Sequence, residues 1–141
     1  MVASELRIGN LVNRKYLNPN PRNTGYEYEP AEITLIRENS CNIKLKDGNK
    51  LDIAFKHGSI SPIAITERWL LDFDFEKEFN NTNSRWEYFI SRHGSNVIIE
   101  PFNSQWIFIW ELNFVGRPID SVHQLQNLYF ALTGQELTIK D

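Results

Sequence analysis

Cysteine occurs only once in this 141-residue chain, at Cys41, which excludes an intramolecular disulfide framework and any metal site built from clustered thiolates. The N-terminus has no apolar run: "MVASELRIGN" reaches charge at Glu5 and Arg7, so neither a secretory leader nor a membrane span is expected. A reducing cytoplasm is the expected location. No P-loop, Rossmann glycine signature, nucleophile elbow or zincin histidine pair occurs anywhere. Basic charge is in deficit, with 15 Lys+Arg against 18 Asp+Glu and a net charge of −3, which disfavours a general polyanion binder. The three histidines, His57, His93 and His123, form no i, i+4 pair of the kind that sets two metal ligands on one helix face.

What is present suits a folded core. Hydrophobic residues make up 41%, aromatics 13% and charged residues 23%, within the range of one ordinary globular domain or two very small ones. Charge divides unevenly. Residues 1–65 hold nine Lys+Arg against seven Asp+Glu, and residues 66–141 hold six against eleven.

The first half shows strand periodicity. Gly9-Asn10 precedes an apolar strand start at Leu11-Val12, and "LNPNPRNTG" (17–25) has loop composition. "EITLI" puts Ile33 and Leu35 on one face, and "CNIKLK" alternates Cys41, Ile43 and Leu45 with polar residues. After the turn signal "DGN", Leu51, Ile53 and Phe55 resume the alternation. These features predict an SH3-like small barrel or bent antiparallel sheet over 1–61, with a seam near 57–62 and an α+β subdomain over 62–141.

The second half opens on a helix signal near 67–73, with Thr66 as N-cap and Glu67 in the first turn. "RWEYFIS", "NVIIEPF" and "QWIFIWEL" then predict three strands, and "LNFVGRP" a fourth. In "QWIFIW" the Trp106, Phe108, Trp110 face and the Ile107, Ile109 face are both apolar, which predicts burial on both sides. In "VHQLQNLYFALTG" (122–134), Ser121 and Gln124 fit a capping box. Val122, Leu125, Leu128, Tyr129 and Leu132 fall on one side of a helix, and Gly134 supplies its stop. The fold class expected is α+β: the strand-rich first half packed with an antiparallel sheet flanked by a short helix and a C-terminal helix.

Each candidate site has a plainer alternative. His123, with Asp120 nearby, has the makings of a ligand or base, but no nucleophile stands beside it, and a polar residue near a helix start is the preferred reading. Gln124, Gln126 and Asn127 are expected to face solvent or bond to loops. "DFDFEKE" (72–78), if extended, aligns Asp72, Asp74, Glu76 and Glu78 as oxygen ligands for a divalent cation; the EF-hand glycine and terminal Glu spacing are absent, and a solvated acidic strand face is the preferred reading. Lys44, Lys46, Lys50 and Lys56 straddle the hairpin and have phosphate-binding chemistry, with Tyr26 or Tyr28 for stacking. Asp47 and Asp52 interrupt them, which favours a protected strand edge. The four tryptophans are expected mostly in the core, an exposed one being a natural contact anchor.

Three stretches, "ELRIGNLV", "ITERWLLDFDF" and "VHQLQNLYFALTGQEL", resemble a family of small uncharacterised proteins from gut anaerobic bacteria, often carried in prophages and other mobile elements. The resemblance implies a mobile-element context and supplies no activity or site residue. Where it implies glycine between Phe73 and Phe75 this chain has Asp74, which argues against a positive-φ turn there. The combined expectation is a non-catalytic binding or adaptor module without cofactor or metal. It engages a protein partner or itself through His123, Gln124, Asn127, Lys44, Lys46 or Lys50. The alternative is a nucleic-acid accessory protein using the hairpin around 44–56. No membrane partner is expected.

Overall fold

The computed structural model describes residues 1, 3–19, 22, 25–92 and 94–140. Its class is α+β, with two antiparallel sheets, a short helix and a C-terminal helix. The chain divides into two compact units, Met1–Ile63 and Ala64–Asp141.

Unit 1 begins with a 3-10 turn at Ala3–Glu5, followed by β1 (Leu11–Leu17), β2 (Tyr26–Ile36), β3 (Ser40–Leu45) and β4 (Lys50–Ala54). A second 3-10 turn at Phe55–His57 leads into β5 (Ile60–Ser61). The sheet order is β4-β3-β2-β1-β5, a meander whose last strand returns to pair with the first. The loop expected at 17–25 follows β1 directly, and its residues 20, 21, 23 and 24 lie outside the described residues.

The long strand β2 serves two neighbours, pairing with β1 through residues 26–32 and with β3 through 31–36. Its register shifts between Ile33 and Leu35, so Ile33 is fully buried while Leu35 turns to solvent. The alternation in "EITLI" assumed an unbroken strand, and the irregularity reverses the second residue. Phe55 opens the 3-10 turn instead of continuing β4, yet it packs against the core with Leu51 and Ile53, as the alternation has it. Elsewhere period-two patterning holds: Val12, Ala31, Ile33, Cys41, Ile43, Leu45 and Ile60 form one core with Leu6. At the Asp47-Gly48-Asn49 turn, Gly48 takes φ +91°, and Asp47 Oδ1 accepts from Asn49 N–H at 2.9 Å.

Unit 2 comprises α1 (Glu67–Asp72), β6 (Glu76–Asn80), β7 (Arg85–Arg92), β8 (Ser95–Phe102), β9 (Gln105–Trp110), β10 (Asn113–Phe114) and α2 (Val122–Thr133). The strands follow chain order across the sheet. Thr66 caps α1, its hydroxyl accepting from Trp69 N–H at 3.4 Å. The helix then stops, because Phe73 leaves helical geometry and Asp74 takes φ +73°. The positive-φ turn that Asp74 argued against is present. An aspartate tolerates this region better than most residues, and its carboxylate is held there by Arg92 and by Lys140 at 3.5 Å. These ion pairs hold the Asp74 carboxyl below the ordinary range, the Arg92 hydrogen bond being the main cause.

One sheet face carries both helices. Tyr88, Ile90, Val97, Ile99 and Phe108 are buried on it. From the same face, Tyr88 Oη donates to Glu67 Oε1 at 3.0 Å, Lys77 pairs with Glu67 at 2.7 Å and Trp106 Nε1 donates to the Ile65 carbonyl at 3.2 Å. Against it α2 buries Val122, Leu125 and Tyr129, each contributing roughly 1.5–3 kcal/mol before entropy is subtracted. Leu128 and Leu132 are only half-buried, at the margin of the apolar stripe. The capping box of α2 rests on Gln124, whose Oε1 accepts from Asp120 N–H at 3.1 Å and Ser121 N–H at 3.3 Å. Gly134 ends the helix at φ +71°.

Candidate interaction surface

The sequence-predicted site residues do not converge. His123 is 5% exposed and so belongs to the interior of unit 2, not to its surface. Gln124 is exposed but committed to the helix cap, and Asn127 is half-buried. Gln126 is buried, its Nε2 reaching the Leu137 carbonyl at 3.5 Å and tying the C-terminal segment to α2. His57 ends a 3-10 turn of unit 1, and His93 lies outside the described residues.

The run 72–78 is not one extended strand. Asp72 closes α1 and pairs with Arg68 at 3.1 Å, Asp74 sits in the turn, and only Glu76 and Glu78 belong to β6. The helix end separates the four carboxylates, so the aligned ligand face does not form. Among the described residues no group of three or more His, Cys, Asp or Glu side chains is placed to hold a metal ion.

On unit 1, Lys44 lies directly across from Lys50, with Glu32 on its other side. Lys46 stands exposed in the turn. The proposed stacking partners are elsewhere on the sheet: Tyr26 and Tyr28 face Leu17 and Lys15 of β1, with Lys15 Nζ 4.1 Å from the Tyr26 ring centroid. A hollow on the same unit is lined by Glu38, Asn39, Ser40, Ala54, Phe55 and Lys56.

A cross-strand apolar feature lies on the helix-free face of the second sheet. Antiparallel register places Phe89 against Ile98, Ile98 against Ile109, and Ile109 against Phe114. Four large apolar side chains thus form one cross-strand row over β7, β8, β9 and β10. Phe89, Ile98 and Ile109 are half-buried among one another, and Phe114 is 73% exposed. Ile107 flanks the row from the next position on β9. The expectation that β9 is buried on both sides is therefore corrected: of its residues only Phe108, on the helix side, is fully buried.

The hairpin that carries Phe114 is strained. Glu111 and Leu112 both take positive φ, +49° and +67°, and Leu112 is 91% exposed. A left-handed leucine costs roughly 1–2 kcal/mol relative to glycine in such a turn. Glu111 fixes the hairpin to β8, its Oε1 accepting from Asn96 N–H at 3.0 Å.

A row of carboxylates borders the apolar row. Glu78 lies opposite Glu87, and Glu100 stands one step beyond the Tyr88–Ile99 pair, beside Glu87. Glu100 is 5% exposed, with Arg85 Nη1 at 3.8 Å. Burial first, and then the hydrogen bond and charge of Glu87, push the Glu100 carboxyl above the ordinary range; Arg85 opposes them. Asn80 Nδ2 holds Glu87 Oε1 at 2.7 Å.

The chain matches no family model, no curated protein and no solved structure. The functional reading rests on these surfaces alone. Sequence reasoning missed the Phe89–Ile98–Ile109–Phe114 row because its continuity depends on register. The signal available was Ile107 and Ile109 on a second apolar face. Trp86 was missed as an exposed position; it packs edge-on to Phe79 with centroids 5.2 Å apart and Lys77 Nζ 4.7 Å from its ring. Among the described residues no helix is long and apolar enough to cross a membrane.

Proposed function

We propose that the chain is a non-catalytic binding or adaptor module, and that it docks a protein partner through the helix-free face of its second sheet. The carrying observation is the apolar row across β7–β10, ending in the exposed Phe114. An apolar row of half-buried side chains that ends in an exposed phenylalanine, with polar groups beside it, has the make-up of an interaction site. A strained turn holding a solvent-facing leucine next to it supports the same reading, since strain collects where function retains it.

We further propose an SH3-like barrel for unit 1. A four-strand meander, a 3-10 turn and a short fifth strand paired back to β1, with β2 shared between two neighbours, favour that topology. Membership of the family of small gut-anaerobe proteins, a mobile-element setting and a cytoplasmic location belong to the same proposal, resting on the three sequence stretches and the single cysteine. The net charge of −3, and the separation of Tyr26 and Tyr28 from Lys44 and Lys50, weigh against nucleic acid as the ligand.

Quantitative affinity capture from the native host tests the docking reading. The wild-type chain is compared with Phe114→Ser, with nuclease treatment in parallel. A protein retained by the wild type, lost with Phe114→Ser and indifferent to nuclease is the expected result. Identical protein sets on both baits overturn it, and material released by nuclease favours the nucleic-acid alternative.

A further inference from the structure

We propose that the occupant of this face is a basic amphipathic helix of a partner protein. Its apolar stripe lies on Phe89, Ile98, Ile109 and Phe114, and its lysines or arginines meet Glu76, Glu78 and Glu87, which stand beside the buried Glu100. The proposal rests on the reading of the face as a protein-docking surface and adds the chemistry of what docks there.

Charge selects the partner. The apolar row begins opposite Glu76 on β6 and is flanked by Glu78, Glu87 and Glu100, with Glu111 at the hairpin corner. Arg85, cross-strand from Asn80, is the cation beside Glu100. Like charges directly opposite one another on a sheet destabilise it, so the Glu78–Glu87–Glu100 row is a cost to the isolated fold. An incoming cation beside Glu78 and Glu87 offsets that cost. Two faces of this kind brought together would set carboxylates against carboxylates, which excludes a second copy of the same face. Phosphate backbones meet the same repulsion.

Shape selects the helix. An apolar face of a sheet is buried either by another sheet or by a helix. Addition of an extended partner strand is disfavoured at β6, whose exposed residues include Glu76, Lys77 and Glu78, and at β10, which is two residues long. Four adjacent strands span about 14 Å at roughly 4.8 Å each. That distance matches about ten residues of α-helix, enough for an i, i+3/i+4, i+7 set of anchors.

A displayed library of random peptides, each about sixteen residues long to allow four helical turns, tests the proposal. It is selected on the intact chain and counter-selected on Phe114→Ser. The expected winners carry net positive charge and apolar residues at i, i+3/i+4 spacing, and gain helical circular dichroism on binding. They bind at least about tenfold more weakly to Phe114→Ser and to Glu87→Gln/Glu100→Gln, and lose affinity with added salt. Phe114 is exposed and Gln is isosteric with Glu, so unchanged tryptophan fluorescence verifies that both variants fold. Winners that depend on Phe114 but are acidic, neutral or proline-rich overturn the basic helix while leaving the docking face intact. Failure to select any Phe114-dependent peptide overturns both.

Discussion

Unit 1 and unit 2 each contain one five-stranded antiparallel sheet, but they distribute apolar residues differently over its two faces. In β3 and β4 of unit 1 the alternation is one-sided, whereas β1 and β2 also expose Leu17, Tyr26 and Tyr28. Cys41, Ile43 and Leu45 face the core, while Asn42, Lys44, Asp52 and Lys50 face outward. In unit 2 the strands are apolar on both sides: the Tyr88, Ile99, Phe108 face is filled by helices, and the Phe89, Ile98, Ile109, Phe114 face carries none. In unit 2 the two apolar faces differ in cover: the helices lie on one, and the row on the other ends in the exposed Phe114.

The strongest way to break this comparison is to damage each core separately and read each unit with its own probe. All four tryptophans lie in unit 2, at positions 69, 86, 106 and 110, while Cys41 is buried in unit 1. Leu125→Ala is expected to lower stability by roughly 2–5 kcal/mol, measured by denaturant titration of tryptophan fluorescence. Leu128→Ala, at a half-buried position, should cost about 1–2 kcal/mol. Equal effects would contradict the placement of Leu125 in the core of unit 2.

Cys41 sharpens the same contrast. Burial raises its pKa and removes it from solvent, so alkylation at neutral pH should be at least about a hundredfold slower than in the unfolded chain. That protection should survive Leu125→Ala if the units unfold separately. Its parallel loss would show one cooperative structure.

The outer face of unit 2 yields a smaller effect of opposite sign. Leu112→Gly relieves the left-handed strain and should raise stability by about 1 kcal/mol in the same titration. It should also weaken whatever docks beside Phe114. Destabilisation would show that the exposed leucine supports the fold.

The smallest effect expected is a change in pH slope at Glu100. Its folded pKa lies above its unfolded value, so the native state binds the extra proton between the two. The contribution of Glu100 to stability is therefore full below its unfolded pKa and is lost as pH rises through the folded one, opposite in sign to that of Asp74 and Glu67. Glu100→Gln should remove this loss, checked by thermal melts from acid to neutral pH. A wild-type slope that survives the substitution would place the titration on another group.

Local interactions account for what was legible without the structure. Thr66 caps α1, Gln124 closes the box of α2 and the Asp47-Gly48-Asn49 turn joins β3 to β4, all within a few residues of their partners, and the alternation of Cys41, Ile43 and Leu45 marks one face of a single strand. The errors occurred where one residue changed the period. The irregularity between Ile33 and Leu35 exposed the latter, and the left-handed Asp74 broke an apparent strand. Nothing in "WELNF" marks a tight turn, since Glu111 and Leu112 lack the glycine or asparagine that usually announces one. The candidate surface was legible only as the second apolar side of "QWIFIW".

By itself, the sequence determined element type, the capping of both helices and the one-sided alternation of β3 and β4, because periodicity and capping act through neighbours along the chain. Tertiary structure alone decided that His123 is interior, that the carboxylates of 72–78 separate, and that Phe89, Ile98, Ile109 and Phe114 form one row beside Glu87 and Glu100. Those outcomes depend on strand register and on which sheet face the helices cover. Both are set by contacts between residues distant in sequence, and a shift of one position in register exchanges the two faces.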